Sequence, residues 1–444
     1  MAVELELLRN FAAEDAVGWQ SGMPLDAARF CAAAAAFAGA LPRRRYVLNL
    51  CEDRLRFMLG FGAAMIAGQV SLLPYSRAPE ALRQVLAEHS DAYCLADHGD
   101  VPPGLPVTFV PAPAAAARAF DVPRFPAERV ALIAYTSGSS GRPQAHAQTW
   151  GALVADARAL GRQLQLNVGE RASVVGTVPP QHIYGMETTV MLPLQNGLRV
   201  HPGRPLLPAD LAAALAAVPA ARWLVTTPAH LRACVAESAL LPPLAGILSA
   251  TMPLATALAR EVEHACAAPL HEIYGCTEGG ALALRRPALE SRWRVREGMR
   301  LTRADSAIWV EGGHLAAPLR IPDRVRVLSD TEFELLGRPE DMKKIAGKRA
   351  SIEALNAELR RVPGVEDGVF FDPGGSARLA AVVVAPGVAP QAILRALRQR
   401  IDAAFLPRPL IMTDALPRTT TGKVARAALL ALLEDARARH RHPA

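Results

Sequence analysis

Aromatic residues are scarce in this 444-residue chain, in which Phe, Trp and Tyr together make up 5%. Proteins that hold single-stranded nucleic acid stack its bases on aromatic side chains set among basic residues. The sequence shows no such interleaving. We therefore expect no nucleic-acid partner.

Cysteine is also scarce, and it is scattered. The six cysteines form neither a C-x-x-C pair nor a cluster with histidine, which are the spacings that zinc sites and redox motifs need. They are Cys31, Cys51, Cys94, Cys234, Cys266 and Cys276. We therefore expect a reduced, cytoplasmic protein without structural zinc.

A secretory leader and a membrane span are not indicated either. The chain begins MAVELELLRN, which is acidic where a signal peptide carries a basic region. The main apolar candidate, residues 57–75, is interrupted by Gln69 and Ser71 and is rich in Gly and Ala. We predict that it is a buried helix running into a strand rather than a membrane span.

Lysine is absent from the first 342 residues, and all four lysines follow Gly337. From Gly337 onward the chain has 18 basic and 11 acidic residues. The residues before Gly337 therefore include 31 basic and 31 acidic ones. The whole net charge of +7 therefore belongs to the C-terminal quarter. A basic segment beside a neutral body favours an anionic partner, while an arginine-rich solvated surface is the simpler alternative.

The length of the chain allows two or three domains with a large buried core. Ala- and Leu-rich segments alternate with short β-branched runs such as RASVVGTV (171–178) and LAAVVVA (379–385). This alternation predicts an α/β fold. After Gly337 the pattern changes to a small α+β module, so we predict two domains, residues 1–336 and 337–444.

Individual elements can be predicted from the same patterns. A strand from Val130 should pass through a loop directly into a helix that begins near Trp150. After Gly337 we expect the order strand, helix, strand, strand, helix. Near the N-terminus we predict a helix over 26–41, a strand over 45–50 and a helix over 79–90.

Residues 134–150, AYTSGSSGRPQAHAQTW, have the composition of a loop that surrounds phosphate. The stretch lacks the G-x-x-x-x-G-K-[ST] spacing of a Walker loop and the G-x-S-x-G spacing of a hydrolase elbow. Gln144 stands where a lysine is usual in such loops. Taken alone, the stretch is best interpreted as a Gly/Ser turn.

Five further stretches change that interpretation because of their order and spacing. They are VPPQHIYGME (178–187), SATMPL (249–254), EIYGCTEGG (272–280), LLGRPEDMKKIAGKRAS (335–351) and LPRTTTGKVAR (416–426). Together with YTSGSSGRP they resemble the adenylate-forming superfamily of acyl- and aryl-CoA ligases, luciferase and peptide-synthetase adenylation domains. The resemblance spans roughly residues 130–426.

The resemblance implies a large N-terminal AMP-binding domain, made of two α/β subdomains and a distorted β-barrel, followed by a small α+β lid domain. Such enzymes use ATP and Mg²⁺ to convert a carboxylic acid into an acyl-adenylate, and they usually pass the acyl group to a thiol. Because the carboxylate itself attacks the α-phosphorus, the protein has to supply positioning and neutralisation of charge rather than a nucleophile.

The resemblance also assigns the nucleotide site. The loop glycines and hydroxyls would surround the β- and γ-phosphates, Tyr274 and Gly275 would lie at adenine, Thr277 would contact the α-phosphate and Glu278 would hold Mg²⁺. Glu272 is a candidate partner for the adenine amino group. The loop residues are Thr136, Ser137, Gly138, Ser139, Ser140 and Gly141.

Four residues near the second domain complete the expected machinery. In relatives, the Asp of a T-G-D motif binds the ribose and lies fifteen residues before the Arg of a G-R-x-D motif. Asp323 lies fifteen residues before Arg338, so the resemblance implies that Asp323 binds the ribose and that Arg338 assists. Lys423 in PRTTTGKVAR would bridge the carboxylate and the α-phosphate. Gly347 would line the thiol tunnel, and Glu340 occupies the hinge position where relatives have Asp.

The acyl pocket is expected between two of the motifs. His182, Tyr184, Gly185 and Met186 would line it, and His182 would also gate the thiol tunnel. Ser249, Ala250, Thr251 and Met252 occupy the S-G-G-A stretch of relatives, with two glycines replaced by bulkier residues. This replacement favours a small or flat acyl group over a long fatty chain.

The sequence thus predicts a ligase that activates a small carboxylic acid of the hydroxybenzoate or hydroxycinnamate type. We expect transfer to the phosphopantetheine thiol of an acidic acyl carrier protein, as in stand-alone AMP ligases of aryl-polyene and xanthomonadin-type pigment pathways. Two alternatives stay open: CoA as the acceptor, and a degenerate member that binds nucleotide without chemistry. Because Gln144 carries no charge, we predict weaker ATP binding than a lysine would give.

Overall fold

The computed structural model describes residues 3–74, 77, 79–99, 101, 106–113, 119–136, 143–166, 171–236, 241–305, 307–337, 342–345, 348–374, 378–401, 403–419 and 423–441. The chain divides into two compact units. The first comprises residues 1–320 and 329–332, and the second comprises residues 321–328 and 333–444. The predicted boundary between 336 and 337 stays a prediction.

The elements of the first unit follow each other in mixed order. Its strands are β1 (Glu4–Glu6), β2 (Ala16–Gln20), β3 (Met23–Asp26), β4 (Tyr46–Asn49), β5 (Val70–Leu73), β6 (Ala92–Ala96), β7 (Val107–Phe109), β8 (Arg124–Pro126), β9 (Val130–Thr136), β10 (Gln144–Thr149), β11 (Ser173–Gly176), β12 (Arg199–Val200), β13 (Arg222–Thr226), β14 (Gly246–Ser249), β15 (Leu270–Cys276), β16 (Gly280–Arg285), β17 (Arg292–Val295), β18 (Met299–Ala304), β19 (Ala307–Gly312) and β20 (Leu319–Arg320). Its helices are α1 (Ala27–Ala40), α2 (Arg54–Ile66), α3 (Pro79–Ala87), α4 (Trp150–Gln163), α5 (Ile183–Met186), α6 (Leu192–Asn196), α7 (Pro208–Ala216), α8 (Pro228–Ala236) and α9 (Thr256–Cys266), with a π-helical turn (Glu187–Met191) between α5 and α6.

One sheet has the order β10-β9-β5-β4-β6-β7, in which only the β10–β9 pair is antiparallel. Its inner strands β9, β5, β4 and β6 are short, largely buried apolar runs, as parallel sheets require. Helices α1 and α2 begin where the Asp26 and Asp53 carboxylates accept hydrogen bonds from backbone N–H groups of the first turn, at 2.7 and 2.9 Å. The packed interior includes Phe30 and Trp150, both fully buried.

The larger sheet of the first unit runs in the order β17-β16-β15-β14-β13-β11-β12-β2-β3. Its central strands, β15 to β11, are parallel neighbours of one another, so their carboxyl ends lie along one edge. In open α/β sheets, that edge is where ligands bind. Strands β18, β19 and β20 form a separate antiparallel sheet.

The second unit contains short strands and three helices within its described ranges. Its elements are β21 (Arg324–Val327), β22 (Glu332–Gly337), β23 (Met342–Ile345), β24 (Lys348–Ser351), α10 (Ile352–Arg360), β25 (Asp367–Phe371), β26 (Ala380–Val384), α11 (Pro390–Arg398), β27 (Leu410–Met412) and α12 (Arg426–Arg441). Strand β26 is buried along its whole length. Its alternate residues belong to different clusters, Val383 with Leu397 of α11 and Val382 with Leu433 of α12, so both faces of the sheet are covered.

The parallel sheets confirm the α/β fold, and the helices predicted for 26–41 and 79–90 are present as α1 and α3. The prediction that 57–75 is a buried helix entering a strand is also confirmed, by α2 and β5. Among the described residues, no helix has both the length and the apolar character that a membrane span requires.

Two predictions of local structure were wrong. Residues 144–149 do not belong to a loop that enters a helix, because they form β10, which pairs antiparallel with β9. The single strand expected after Gly337 is a hairpin of β23 and β24. The pattern Q-A-H-A-Q-T alternates polar residues with alanine, so it carries little of the hydrophobic signal that identifies a strand.

Candidate active site

Strand β10 lies against the segment that contains Thr277 and Glu278. The Gln148 side-chain amide donates to the backbone carbonyl oxygens of Glu278 and Thr277, at 3.1 and 3.4 Å. The His146 Nε2 atom is 3.6 Å from a Glu278 carboxylate oxygen and 3.3 Å from the hydroxyl of Thr136. Two of the predicted motifs therefore meet through side chains that the sequence did not single out.

A buried polar cluster supports the other side of the 277–280 segment. The His314 Nε2 atom lies 2.7 Å from the carbonyl oxygen of Gly279, and its Nδ1 atom lies 3.5 Å from the Asp156 carboxylate. Asp156 also pairs with the buried Arg296 at 2.9 Å. These contacts fix the backbone next to Glu278 from within the protein.

Glu187, the last residue of the VPPQHIYGME motif, belongs to the same region. Burial raises the pKa of its carboxyl well above the usual value, and the nearby charge of Asp156 raises it further. Gly280 adopts a φ of 64°, and a Cβ atom there would lie 2.3 Å from a Glu187 carboxyl oxygen. Glycine adopts this φ readily and has no Cβ atom to displace the carboxyl group, so Gly280 allows the two motifs to approach closely.

Glu272 has a close basic partner in this structure. One carboxylate oxygen accepts a hydrogen bond from the Arg285 guanidinium at 2.6 Å, and the other accepts one from the Leu254 backbone N–H at 2.9 Å. Burial raises the pKa of Glu272 to about 7, and it outweighs the opposing effect of Arg285. The predicted contact of Glu272 with adenine stays a prediction.

Tyr274 is half-buried two residues further along β15. Its ring meets that of Trp293 edge-to-face, with the centroids 5.6 Å apart. The guanidinium of Arg285 lies over the other aromatic ring, 4.5 Å from the centroid of Trp293. The aromatic residue expected at adenine is therefore backed by an aromatic and cationic stack.

The predicted acyl-pocket residues of the 178–187 motif form the start of a helix. The His182 Nδ1 atom accepts a hydrogen bond from the Tyr184 backbone N–H at 3.2 Å and so caps α5. The Tyr184 hydroxyl donates to the carbonyl oxygens of Thr226 and Leu248, at 3.1 and 3.0 Å. This pairing ties the motif to the carboxyl ends of β13 and β14.

The 249–252 stretch continues from that same edge of the sheet. Ser249 is fully buried, and among the described residues its Oγ atom has no hydrogen-bond partner. Thr251 adopts a φ of 78°, a left-handed conformation that β-branched residues rarely take. The backbone at Thr251 thus keeps a conformation that suits glycine, although the threonine side chain adds bulk. The next residue, Met252, also has a larger side chain than the alanine of the S-G-G-A stretch.

Arg54 is a further residue that the sequence analysis missed. Its guanidinium is fully buried in the first unit, where burial, with a smaller effect from the neighbouring Arg204, lowers its pKa to about 10. It donates four hydrogen bonds of 2.9–3.2 Å to backbone carbonyl oxygens, those of His201, Gly203, Gly176 and Val178. It therefore fixes the point where β11 ends and the 178–187 motif begins.

Asp323 and Lys423 belong to the second unit. The Lys423 backbone N–H donates to the Thr419 hydroxyl at 3.2 Å, and its carbonyl oxygen accepts from the Thr419 N–H at 2.7 Å, so two hydrogen bonds join these residues. Several predicted site residues lie outside the described residues. These are Ser137, Gly138, Ser139, Ser140, Gly141, Arg338, Glu340 and Gly347.

Metal binding in the described part of the chain would rest on few side chains. No group of three or more His, Cys, Asp or Glu residues is arranged there to hold an ion. Glu278, with 38% of its side chain exposed, is one hard oxygen donor beside His146 of β10. A Mg²⁺ ion that takes one carboxylate, water and substrate phosphates fits such a donor set.

Residues 26–309 match the family model of the AMP-binding enzymes, so the chain belongs to that family. It is 29% identical to a 4-coumarate–CoA ligase of Rhodobacter capsulatus over 308 residues, covering 68% of this chain and 77% of that one. ATP-bound MatB from Rhodopseudomonas palustris has a similar fold, with a TM-score of 0.76, 18% identity and 93% of each chain covered. So does o-succinylbenzoate CoA synthetase (MenE) from Bacillus subtilis bound to its acyl-adenylate intermediate, with a TM-score of 0.74, 17% identity and 91% of each chain covered.

The class of the protein follows from these matches. It is a ligase of the acyl- and aryl-CoA ligase type, in which a carboxylic acid is activated by adenylation. Enzymes of this family use ATP and Mg²⁺.

Proposed function

We propose that this protein adenylates a small aromatic carboxylic acid and transfers the acyl group to the phosphopantetheine thiol of an acyl carrier protein. The observation that carries the choice of acid is the left-handed backbone at Thr251, with a φ of 78°. A threonine side chain there, followed by Met252, would narrow the space beside the carboxyl end of β14, which ends at Ser249. A flat ring fits such a space better than a long, flexible chain.

In the first step, a carboxylate oxygen of the acid attacks the α-phosphorus of ATP. A C–O–P bond forms, and the bond to the β-phosphate breaks, which releases pyrophosphate. Lys423 would neutralise charge between the two reacting anions, Thr277 would donate to the α-phosphate, and residues 136–141 would hold the leaving group. Mg²⁺ on Glu278 would supply neutralisation of the phosphate charges.

In the second step, the sulfur of the thiol attacks the acyl carbon of the adenylate. The thiol releases its proton to water, a thioester bond forms, and AMP leaves with the bonding electron pair. His182 caps α5 at the edge of the proposed pocket, where it would gate the thiol's approach. Gly347 would leave room for the pantetheine arm, and Glu340 would serve as the hinge of the lid.

The C-terminal quarter, with 18 basic and 11 acidic residues, supports an acidic carrier protein as the acceptor. A second candidate is CoA, which is also anionic, and the 4-coumarate–CoA ligase relative favours it. That relative also supports an aromatic acid of the hydroxycinnamate type.

A pyrophosphate-release screen over benzoates, cinnamates, amino acids and fatty acids tests the choice of acid. We expect turnover with hydroxybenzoates or hydroxycinnamates, and palmitate turned over as efficiently would refute the narrow pocket. The best acid is then assayed with CoA and with phosphopantetheinylated carrier protein. Strong thioester formation with CoA and none with carrier protein would show that CoA, and not the carrier protein, is the acceptor.

The Lys423→Ala variant separates a working ligase from a nucleotide-binding protein without chemistry. Removing one stabiliser of transition-state charge lowers a rate by about 10²–10³. We expect a loss of that size in pyrophosphate release. A loss below about tenfold would contradict the proposed role of Lys423, and an inactive wild-type protein that still binds ATP would favour the non-catalytic alternative.

A further inference from the structure

His146 occupies a strand face that the family resemblance does not explain. Strand β10 pairs with β9 in a register that sets Gln144 opposite Thr136 and His146 opposite Ala134. Because side chains two residues apart share one face of a strand, Gln144, His146 and Gln148 point the same way. The neutral Gln144 is thus followed, on that face, by a residue with a ring N–H donor.

The imidazole lies between two groups that would contact a nucleotide's phosphates. Its Nε2 atom is 3.3 Å from the Thr136 hydroxyl, at the end of β9, and 3.6 Å from the Glu278 carboxylate. Its side chain is 18% exposed, and that of Glu278 is 38% exposed, so both are reachable by a small ligand. Gln148 holds the Glu278 backbone through a 3.1 Å hydrogen bond and thereby fixes the distance between strand and carboxylate.

We propose that His146 donates its Nε2–H to a β- or γ-phosphate oxygen of ATP and so replaces the lysine that Gln144 displaces. This inference rests on the proposed function, since it names a binding residue within the same site. A phosphate oxygen that accepts a hydrogen bond from the Thr136 hydroxyl would lie near the ring, because that hydroxyl is 3.3 Å from the His146 Nε2 atom. The hydrogen bond from His146, two residues further along the same strand, then offsets the weak nucleotide binding expected from Gln144.

The test compares ATP, pyrophosphate and AMP binding by calorimetry in the full-length wild-type, His146→Ala and His146→Gln proteins. A hydrogen bond to a charged group contributes enough for its loss to weaken binding about tenfold or more. We expect such a loss for ATP and pyrophosphate in His146→Ala, little change for AMP, and an intermediate loss in His146→Gln, whose amide is still a donor. The exposed His264 on α9 provides the control, and His264→Ala should bind all three ligands as the wild type does.

A second variant restores the displaced cation. In the double variant Gln144→Lys with His146→Ala, we expect the KM for ATP in pyrophosphate release to return to within about threefold of the wild-type value. Equal loss of ATP and AMP binding, a fall in kcat with an unchanged KM for ATP, or no recovery in the double variant would each overturn the proposal. Failure of the proposed function would appear differently, as a wild-type protein that binds ATP but releases no pyrophosphate with any acid.

Discussion

Replacing Arg54 with methionine should weaken the first unit at the point where the acyl-pocket motif begins. Methionine fills a similar volume but donates no hydrogen bond. The four carbonyl oxygens that the guanidinium now satisfies, at 2.9–3.2 Å, would lose their partner in a buried region. Two of them, on Gly176 and Val178, belong to the segment that leads into the 178–187 motif.

The magnitude follows from two opposing terms. Each hydrogen bond to a charged donor contributes about 1.5–3 kcal/mol, so four such bonds would stabilise the fold by about 6–12 kcal/mol if they were additive. Burying the guanidinium opposes this gain by several kcal/mol, which the variant recovers. We expect a net loss of about 3–5 kcal/mol in the free energy of unfolding, in line with the removal of one partner from a buried polar network.

The assay is urea unfolding followed by tryptophan fluorescence, with pyrophosphate release measured on the folded variant. Arg56→Met is the matched control on the same helix, because the Arg56 guanidinium makes one 3.2 Å hydrogen bond to the Asp97 carbonyl oxygen. We expect the control to lose about 1.5 kcal/mol at most, the lower end of that range, because Arg56 makes one such bond and is only half-buried. If Arg54→Met unfolds at the same urea concentration as Arg56→Met, the four carbonyl contacts do not stabilise the fold as argued.

Three further predictions concern single residues of the same unit. The pKa of Glu272 is raised to about 7 by burial, so its contribution to stability is complete below pH 4.5 and is lost as the pH rises through 7, by about 3 kcal/mol. Thermal melts from pH 5 to 8 should show this loss in the wild type and not in Glu272→Gln; parallel curves would contradict it. Gly185→Ala should unfold the motif, since its Cβ would lie 2.0 Å from the Pro179 carbonyl oxygen. Gly39→Ala, in helix α1 and with open space around its Cβ, should instead stabilise the protein by about 0.5–1 kcal/mol in urea unfolding. Equal stabilities of the Gly185→Ala and Gly39→Ala variants would refute the argument that close packing requires Gly185. Thr251→Gly should relieve about 1 kcal/mol of backbone strain and raise kcat/KM for longer acids, and an unchanged acid profile would show that Thr251 does not shape the pocket.

Much of the architecture could be predicted because it depends on local signals. The alternation of apolar strands with Ala- and Leu-rich helices identified α1, α2 and β5, and the Asp residues before α1 and α2 mark their starts. Strand β10 escaped prediction because alanines on one face and Gln, His and Gln on the other carry little hydrophobic periodicity.

The supporting residues of the site could not be predicted for a different reason. Asp156, in a helix, lies more than 100 residues before its two partners, Arg296 at a strand end and His314 in a loop. No spacing rule connects positions so far apart in sequence. The sequence motifs located the residues expected to contact the substrates, whereas the side chains that hold those residues in place emerge only from the tertiary structure.

The pairing of β9 with β10 fixes the two strand ends that flank the glycine- and serine-rich stretch. Because Thr136 pairs with Gln144, these two ends are held about 5 Å apart. The entropic cost of bringing those ends together is therefore incurred when the sheet forms and not when a nucleotide binds. A shift of β10 by one residue would turn His146 and Gln148 to the opposite face. The pairing of these two strands, more than the composition of the stretch between them, therefore decides which side chains lie next to Glu278.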